Sequence, residues 1–315
     1  MRAVRFSRFG GPEVLEIVDL PAPVPSPGQV RISVRAAGVN ASDWKKRQGL
    51  MDQVLPQTMG YEAAGIVDLV GTGVDDIAVG DRAFGFCTDG AAQAEEAVLS
   101  YYASIPPFLD FETAAALPSA LETAARALRR LGITKGVTLL VNGASGNIGS
   151  AAVQLAVAHG ARVIGTASPG KHDFLRSLGA EPIAYGRDMV DRVRAVAPGG
   201  VERALDVAGN GILPELVDLT GSAEHVVTIA DPVGAKANNV HFSRGEDGRA
   251  LHVLTEIGDL VSSGRFKLPA VQVFPLADVA EVHRIGETGR ATGKLVLVVN
   301  GGGAAAESGR IGTPV

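Results

Sequence analysis

The sequence predicts an α/β fold in two parts, a β-rich first domain and a doubly wound parallel sheet. Three observations carry that expectation. Residues 137–168 run strand, glycine turn, helix and strand in immediate succession. Ahead of them, short strands recur at intervals of roughly 8–12 residues with turn residues between. Behind them, helix and strand alternate to residue 263, the rhythm of βαβ units.

Taken in order, residues 2–6 and 15–19 predict two strands around the turn at Gly10-Gly11-Pro12. PAPVPSPG is an extended proline loop, followed by an alternating strand over 29–36. AAGVNASDWKKRQG leads into a helical turn at Ser42-Asp43, with Ser42 as its cap. Residues 62–70 and 81–86 are strands separated by the turn residues of GTGVDDIAVGD. From residue 111 the texture is helical, and Pro118 divides it into two helices, the second over 120–131. Helices are expected over 172–178, 188–197, 212–219 and 249–263, and strands over 182–185, 203–207 and 225–229. The chain then returns to a strand at VQVFPL, a helix over 278–287 and a strand over 293–299. The expected division is 1–118 with 270–300 as one discontinuous domain, 119–269 as the other, and 301–315 as a mobile tail.

Composition narrows the function. With 315 residues, 46% apolar, the chain carries enough core for two domains, and a net charge of −5 offers no footprint for nucleic acid. Lys45, Lys46 and Arg47 form the longest basic run, expected to be a solvated face. One cysteine, Cys87, excludes an internal disulfide framework. The start MRAVRFSRFG has no signal h-region, and no apolar stretch reaches the roughly 18 residues of a bilayer span. A cytoplasmic protein with no membrane partner is expected.

The glycine stretch is where the chemistry concentrates. Residues 137–141 are an apolar run fit for a buried parallel strand, and Gly143, Gly146 and Gly149 follow at three-residue spacing. Ile148, Ala151, Ala152, Leu155 and Ala156 then share one helical face, and Gly160 ends the helix. Glycines at such a turn let backbone approach a pyrophosphate, whose charge meets free N–H groups at the helix start. The spacing is GxxGxxG with Ala144 beside the first glycine, a departure from GxGxxG. An NAD site wants a carboxylate at the end of the second strand, for the ribose 2′-hydroxyl. This chain has Thr166, Ala167 and Ser168 there, with no carboxylate before Asp173. The Ser168 hydroxyl and Lys171 ammonium suit a 2′-phosphate, which predicts NADPH.

Together, the N-terminal β-domain, AAGVNASDWKKRQG, GYEAAGIV, AAALPSALETAARAL, GASGNIGSAAVQLA and ATGKLVLVV resemble a medium-chain dehydrogenase/reductase. The nearest branch is the zinc-independent quinone oxidoreductase (zeta-crystallin-like) group, and the likeness runs in order from residue 1 to about 299. It implies a GroES-like domain plus a Rossmann domain, NADPH in the cleft between them, and a homodimer or homotetramer. The implied activity is hydride transfer to a quinone or α,β-unsaturated carbonyl. A dedicated enoyl or enone reductase and a non-catalytic NADPH-binding sensor are the alternatives.

By position, the resemblance places Asn40 near the nicotinamide and Thr123 near its phosphate or amide. It lines the pyrophosphate with Gly143, Ala144, Ser145, Gly146, Asn147, Ile148 and Gly149. Ser168, Lys171 and Tyr185 hold the 2′-phosphate, and Ala208, Gly209, Ile229 and Ala230 flank the nicotinamide ribose by their backbone. Each has a plainer alternative: Asn40 as a turn cap, Tyr185 as a core residue. Zinc-dependent relatives carry cysteine where this chain has Asn40 and histidine where it has Tyr61, so no metal is expected. The substrate-cleft tyrosine of many relatives falls at Met51, and their GYAEY-type strand reads QAEEA at 93–97. The family pattern thus supplies no proton donor here. By proximity to Asn40 in the chain the candidates are Tyr61 first, then Asp43 and Lys45; the alternative is Tyr61 as a packing residue with solvent as the donor. Met51, Phe86 and Phe242 are candidate cleft walls.

Overall fold

The computed structural model describes residues 1–88, 90–245 and 248–299. The expected mobile tail, 301–315, lies outside the described residues. Two compact units divide the chain, Met1–Ser119 with the segment from Leu268 onward, and Ala120–Lys267.

The first unit opens with β1 (Arg2–Phe6), β2 (Glu16–Asp19), β3 (Val30–Gly38), α1 (Ala41–Arg47), β4 (Gln57–Thr58), β5 (Glu62–Val70), β6 (Arg82–Phe86), β7 (Glu96–Leu99), β8 (Tyr101–Ser104) and α2 (Phe111–Ala115). Helix α3 (Pro118–Arg130) contains the division between the units. Strand β3 is the spine of a seven-stranded sheet: β5 runs along one edge, while β7 and, further on, β16 (Lys294–Val298) share the other. Its alternation buries Val30, Ile32, Val34 and Ala36 on one face, the period-2 pattern of a half-buried strand. Phe6, Met59, Leu99 and Leu297 pack into the same core.

The second unit is a run of βα repeats. It contains β9 (Thr138–Asn142), α4 (Asn147–Ala158), β10 (Arg162–Ala167), α5 (His172–Ser177), β11 (Glu181–Ala184), α6 (Met189–Val196), β12 (Arg203–Asp206), α7 (Leu213–Thr220), β13 (Val226–Thr228), α8 (Pro232–Ala237), β14 (His241–Phe242) and α9 (Val253–Ser262). The six strands are all parallel in the order β11-β10-β9-β12-β13-β14. Counted within the unit this is 3-2-1-4-5-6, the doubly wound order, which reverses direction beside β9. The chain then returns to the first unit with β15 (Val271–Pro275), α10 (Val279–Glu287) and β16.

Several expectations are corrected. Asn40, not Ser42, stands at the N-cap of α1. Pro118 opens α3 rather than separating it from residue 120; the missing N–H of proline costs nothing at a first turn. The basic run is no solvated face, since Lys46 and Arg47 are 7% and 0% exposed. Arg47 donates to the Gly10 carbonyl at 3.1 Å and to His283 Nδ1 at 3.2 Å and pairs with Glu287, tying α1 to α10. Residues 249–252 precede α9 instead of forming its first turn. The short pieces β4, β7, β8, α8 and β14 carry too few residues for a periodic signal, although Asp231 caps α8 by accepting the Gly234 N–H at 2.7 Å.

Candidate functional site

The carboxyl edge of the parallel sheet gathers the glycine turn and the three loops that follow neighbouring strands. Gly143 has φ +83°, and a Cβ on it would stand 2.8 Å from the Ala208 Cβ. At Gly149 a Cβ would lie 2.2 Å from the Gly143 carbonyl oxygen, so only glycine lets the helix start close on the turn. Helix α4 then buries residues 151–156 completely, on more faces than its apolar stripe requires. Gln154 is satisfied there by the backbone of Lys267, accepting its N–H at 2.6 Å. Among the described residues the first-turn N–H groups of Asn147, Ile148 and Gly149 receive no acceptor. Such a cradle of free donors at a helix start fits a pyrophosphate.

The next loop suits a further phosphate. Ala167 on β10 is in register with Ala184 on β11, so Ser168 and Tyr185 both stand one residue past a paired position. Ser168 opens the short turn Pro169–Lys171, and its hydroxyl makes no capping bond. Lys171 is exposed without an ion pair among the described residues, and Tyr185 is 62% exposed, which removes it from the core. Asp173, the nearest carboxylate beyond the strand, is held by Arg176 at 2.6 Å. One contributor escaped the sequence reasoning. Arg192 on α6 donates to the carbonyls of Ala184 at 3.0 Å and Arg187 at 2.6 Å, fixing the loop that carries Tyr185. Nothing marks Arg192 in the sequence apart from its place on an ordinary helix.

A second missed feature is a row of buried polar side chains across four adjacent strands. Asp206 is in register with Asn142 on one side and Thr228 on the other, and Thr166 follows the pair Gly165–Val141. Thr166 donates to Asn142 Oδ1 at 2.8 Å, Asn142 Nδ2 donates to Asp206 Oδ1 at 2.9 Å, and Thr228 donates to Asp206 Oδ2 at 2.7 Å. The same atoms accept from the loops. Gly143 N–H donates to Thr166 Oγ1 at 2.9 Å, and Ala208 and Gly209 donate to Asp206 Oδ1 at 3.1 and 2.9 Å. Ala230 and Asp231 donate to Thr228 Oγ1 at 3.1 and 3.2 Å. The Ile229 N–H donates to the Asp206 carbonyl at 3.0 Å. The available signal was a polar residue at or next to the carboxyl end of each of four strands with apolar centres. Thr123 is half-buried on α3.

Asn40 and Tyr61 belong to the first unit. Asn40 Nδ2 donates to Glu62 Oε1 at 2.7 Å, and its Oδ1 accepts from Lys294. Lys294 pairs with Glu62 at 2.7 Å, and Glu62 Oε2 accepts the Ser119 N–H at 2.7 Å. Glu62 and Asp43 are fully buried and Lys294 nearly so. The Asn40 N–H donates to Asp43 Oδ2 at 2.7 Å, while Asp43 Oδ1 has no partner among the described residues. Burial pushes the Asp43 carboxyl up to about 6, against the pull of the Asn40 N–H and of Lys294. Asn40 is therefore both a helix cap and the hub of a buried charged cluster. Tyr61 is half-buried, with the Lys46 ammonium 5.1 Å from its ring centroid. Burial, then the Asp43 and Asp52 carboxylates, push its phenol up to about 12. Lys45 on α1 and Met51 are both exposed.

A catalytic zinc does not fit these donors. Asn40 has its amide committed to Glu62 and Lys294, and Tyr61 supplies a neutral phenol where imidazole or thiolate would be needed. Among the described residues no three His, Cys, Asp or Glu side chains converge as a metal site.

Known proteins share this architecture along nearly the whole chain. Residues 26–107 match the alcohol dehydrogenase GroES-like domain, and residues 178–297 match the domain described as zinc-binding dehydrogenase. Human quinone oxidoreductase is 31% identical over 325 residues, 95% of this chain and 98% of that protein. The synaptic vesicle membrane protein VAT-1 homolog of Rattus norvegicus is 32% identical over 339 residues, 95% of this chain and 84% of its own. Among solved structures, Escherichia coli quinone oxidoreductase complexed with NADPH superposes with a TM-score of 0.82 at 27% identity, over 95% of this chain and 100% of that one. The chain is thus an oxidoreductase and belongs to the medium-chain dehydrogenase/reductase family, in its quinone oxidoreductase branch.

Proposed function

We propose that the chain reduces a quinone or an α,β-unsaturated carbonyl with NADPH, without a metal ion. The observation that carries this is the carboxyl edge of the second unit, where the first-turn N–H groups of α4 follow β9 and the side chains of Ser168, Lys171 and Tyr185, uncommitted among the described residues, follow the neighbouring strands β10 and β11. In the family to which the chain belongs, the Escherichia coli relative has been solved with NADPH, which supports the same coenzyme here.

Bound there, NADPH supplies the hydride. The chain's own residues orient it. Gly143, Ala144, Ser145, Gly146, Asn147, Ile148 and Gly149 line the pyrophosphate, the last three through their free N–H groups. Ser168, Lys171 and Tyr185 meet the 2′-phosphate with two hydroxyls and an ammonium. The backbone of Ala208, Gly209, Ile229 and Ala230 flanks the nicotinamide ribose, with Thr123 on its phosphate or amide. Asn40 fixes the start of α1 by its bonds to Glu62 and Lys294. Tyr61, half-buried beside the Lys46 ammonium, is the proton donor that completes reduction. A conjugated acceptor spreads the incoming charge over its own π-system, so no Lewis acid is needed. The protein acts as a homodimer or homotetramer in the cytoplasm; no described helix is long and apolar enough to cross a membrane. Strand β13 lies between β12 and β14, so residues 226–229 offer no free edge for pairing with a second copy. Among the described residues the parallel sheet ends at β11 and β14, and the seven-stranded sheet at β15 and β8.

Stopped-flow mixing of NADPH-loaded protein with a panel of quinones and enones tests the proposal. Rapid loss of reduced-nicotinamide absorbance is expected with at least one acceptor class. Tight NADPH binding with no loss on any acceptor would replace an enzyme with a binding protein.

A further inference from the structure

Asp206 is fully buried, yet four groups donate to its two oxygens and none accepts from it. A carboxylate is the one side chain of this size that only accepts. Its demand for donors turns the Asn142 amide so that Nδ2 faces Asp206 and Oδ1 faces away. That Oδ1 in turn claims the Thr166 hydroxyl proton, which leaves the Thr166 oxygen to accept the Gly143 N–H. On the other side Asp206 claims the Thr228 hydroxyl proton, which leaves that oxygen to accept from Ala230 and Asp231. The hydrogen-bond polarity of the whole row therefore originates at one carboxylate.

We infer that Asp206 is a positioning residue that sets the loops after β9, β12 and β13 relative to one another, and so aims the nicotinamide half of the coenzyme. This rests on the coenzyme reading above. The adenosine phosphate groups of Ser168, Lys171 and Tyr185 hang from β10 and β11, and no bond of the row reaches them beyond Thr166. Asparagine cannot substitute. With its oxygen at the Oδ1 position, its NH2 meets a Thr228 oxygen that already accepts two N–H groups. With the amide reversed, its NH2 meets three donors.

The test compares two ligands and a rate in wild type, Asp206→Asn, Thr228→Val and Thr228→Ser. Adenosine 2′,5′-bisphosphate reports the adenosine half alone, NADPH reports both halves, and single-turnover stopped flow reports hydride transfer. For Asp206→Asn and Thr228→Val, bisphosphate affinity should stay within about twofold, NADPH affinity should fall about tenfold, and the single-turnover rate should fall further still. Thr228→Ser, which keeps the hydroxyl, should restore both NADPH measures, and the Thr228 pair decides the matter if Asp206→Asn does not fold. Equal loss of both ligands, or no change in NADPH affinity and rate, would overturn the inference while leaving the coenzyme site in place. Wild-type protein that binds neither ligand would overturn both.

Discussion

At the scale of single residues, two glycines three positions apart carry different constraints. A methyl group at Gly149 would stand 2.2 Å from the Gly143 oxygen and 2.8 Å from the Ala144 Cα, both backbone atoms that cannot move aside. Gly149→Ala should therefore destabilise the second unit by about 1–3 kcal/mol, seen as a lower urea midpoint. At Gly146 the nearest atom would be 3.5 Å away, an ordinary contact. Gly146→Ala should leave the urea midpoint unchanged and weaken NADPH in calorimetry, because its methyl would occupy the coenzyme's approach. Lys171 is tested by a different comparison. Its exposed ammonium has no partner to lose among the described residues, so Lys171→Ala should cost NADPH about tenfold or more in affinity and NADH less than about twofold. Equal losses would take Lys171 out of the phosphate site.

At the scale of elements, the first unit depends on a buried ion pair. Glu62 on β5 and Lys294 at the start of β16 sit on opposite sides of β3, and their pairing at 2.7 Å excludes water from both. Removing one partner leaves the other charged and buried. Lys294→Met should cost about 3–5 kcal/mol in urea unfolding, and adding Glu62→Gln should recover a large part of it. Additive losses would mean that the two charges are not coupled. Helix α3 was legible in the sequence through its period, and strands β9 and β10 as apolar runs either side of a glycine turn and a helix. Strands β4 and β14, at two residues each, have no period to read and exist through their neighbours.

At the scale of the molecule, two buried groups give stability opposite dependences on pH. Burial, with the Arg47 guanidinium beside it, lowers His283 from 6.5 to about 3, so the folded protein keeps it neutral. The unfolded chain takes up that proton below 6.5, and stability falls as pH drops from there toward 3. Asp43 is raised from 3.8 to about 6, so the folded protein binds its proton first. Its contribution is fully present below 3.8 and is lost as pH rises through 6. Between 3.8 and 6 the two oppose each other. In unfolding titrations from pH 7 to 4, Asp43→Asn should steepen the acid loss of stability and His283→Phe should flatten it. Parallel shifts in both variants would assign the acid limb to other groups.

The sequence by itself determined the two-part α/β fold, the glycine turn of the second unit and the absence of a carboxylate at the end of the strand that follows it. These are local facts: strand and helix periods, turn residues, and side-chain types at fixed spacing from a turn. Only the tertiary structure decided that Lys46 and Arg47 are buried, that Asn40 joins Glu62 and Lys294, and that Arg192 braces the Tyr185 loop. It also decided that Thr166, Asn142, Asp206 and Thr228 form one row. Their partners lie tens to hundreds of residues away along the chain, and a hydrogen bond depends on distance in space. Parallel strands bring such residues side by side only once the sheet has formed.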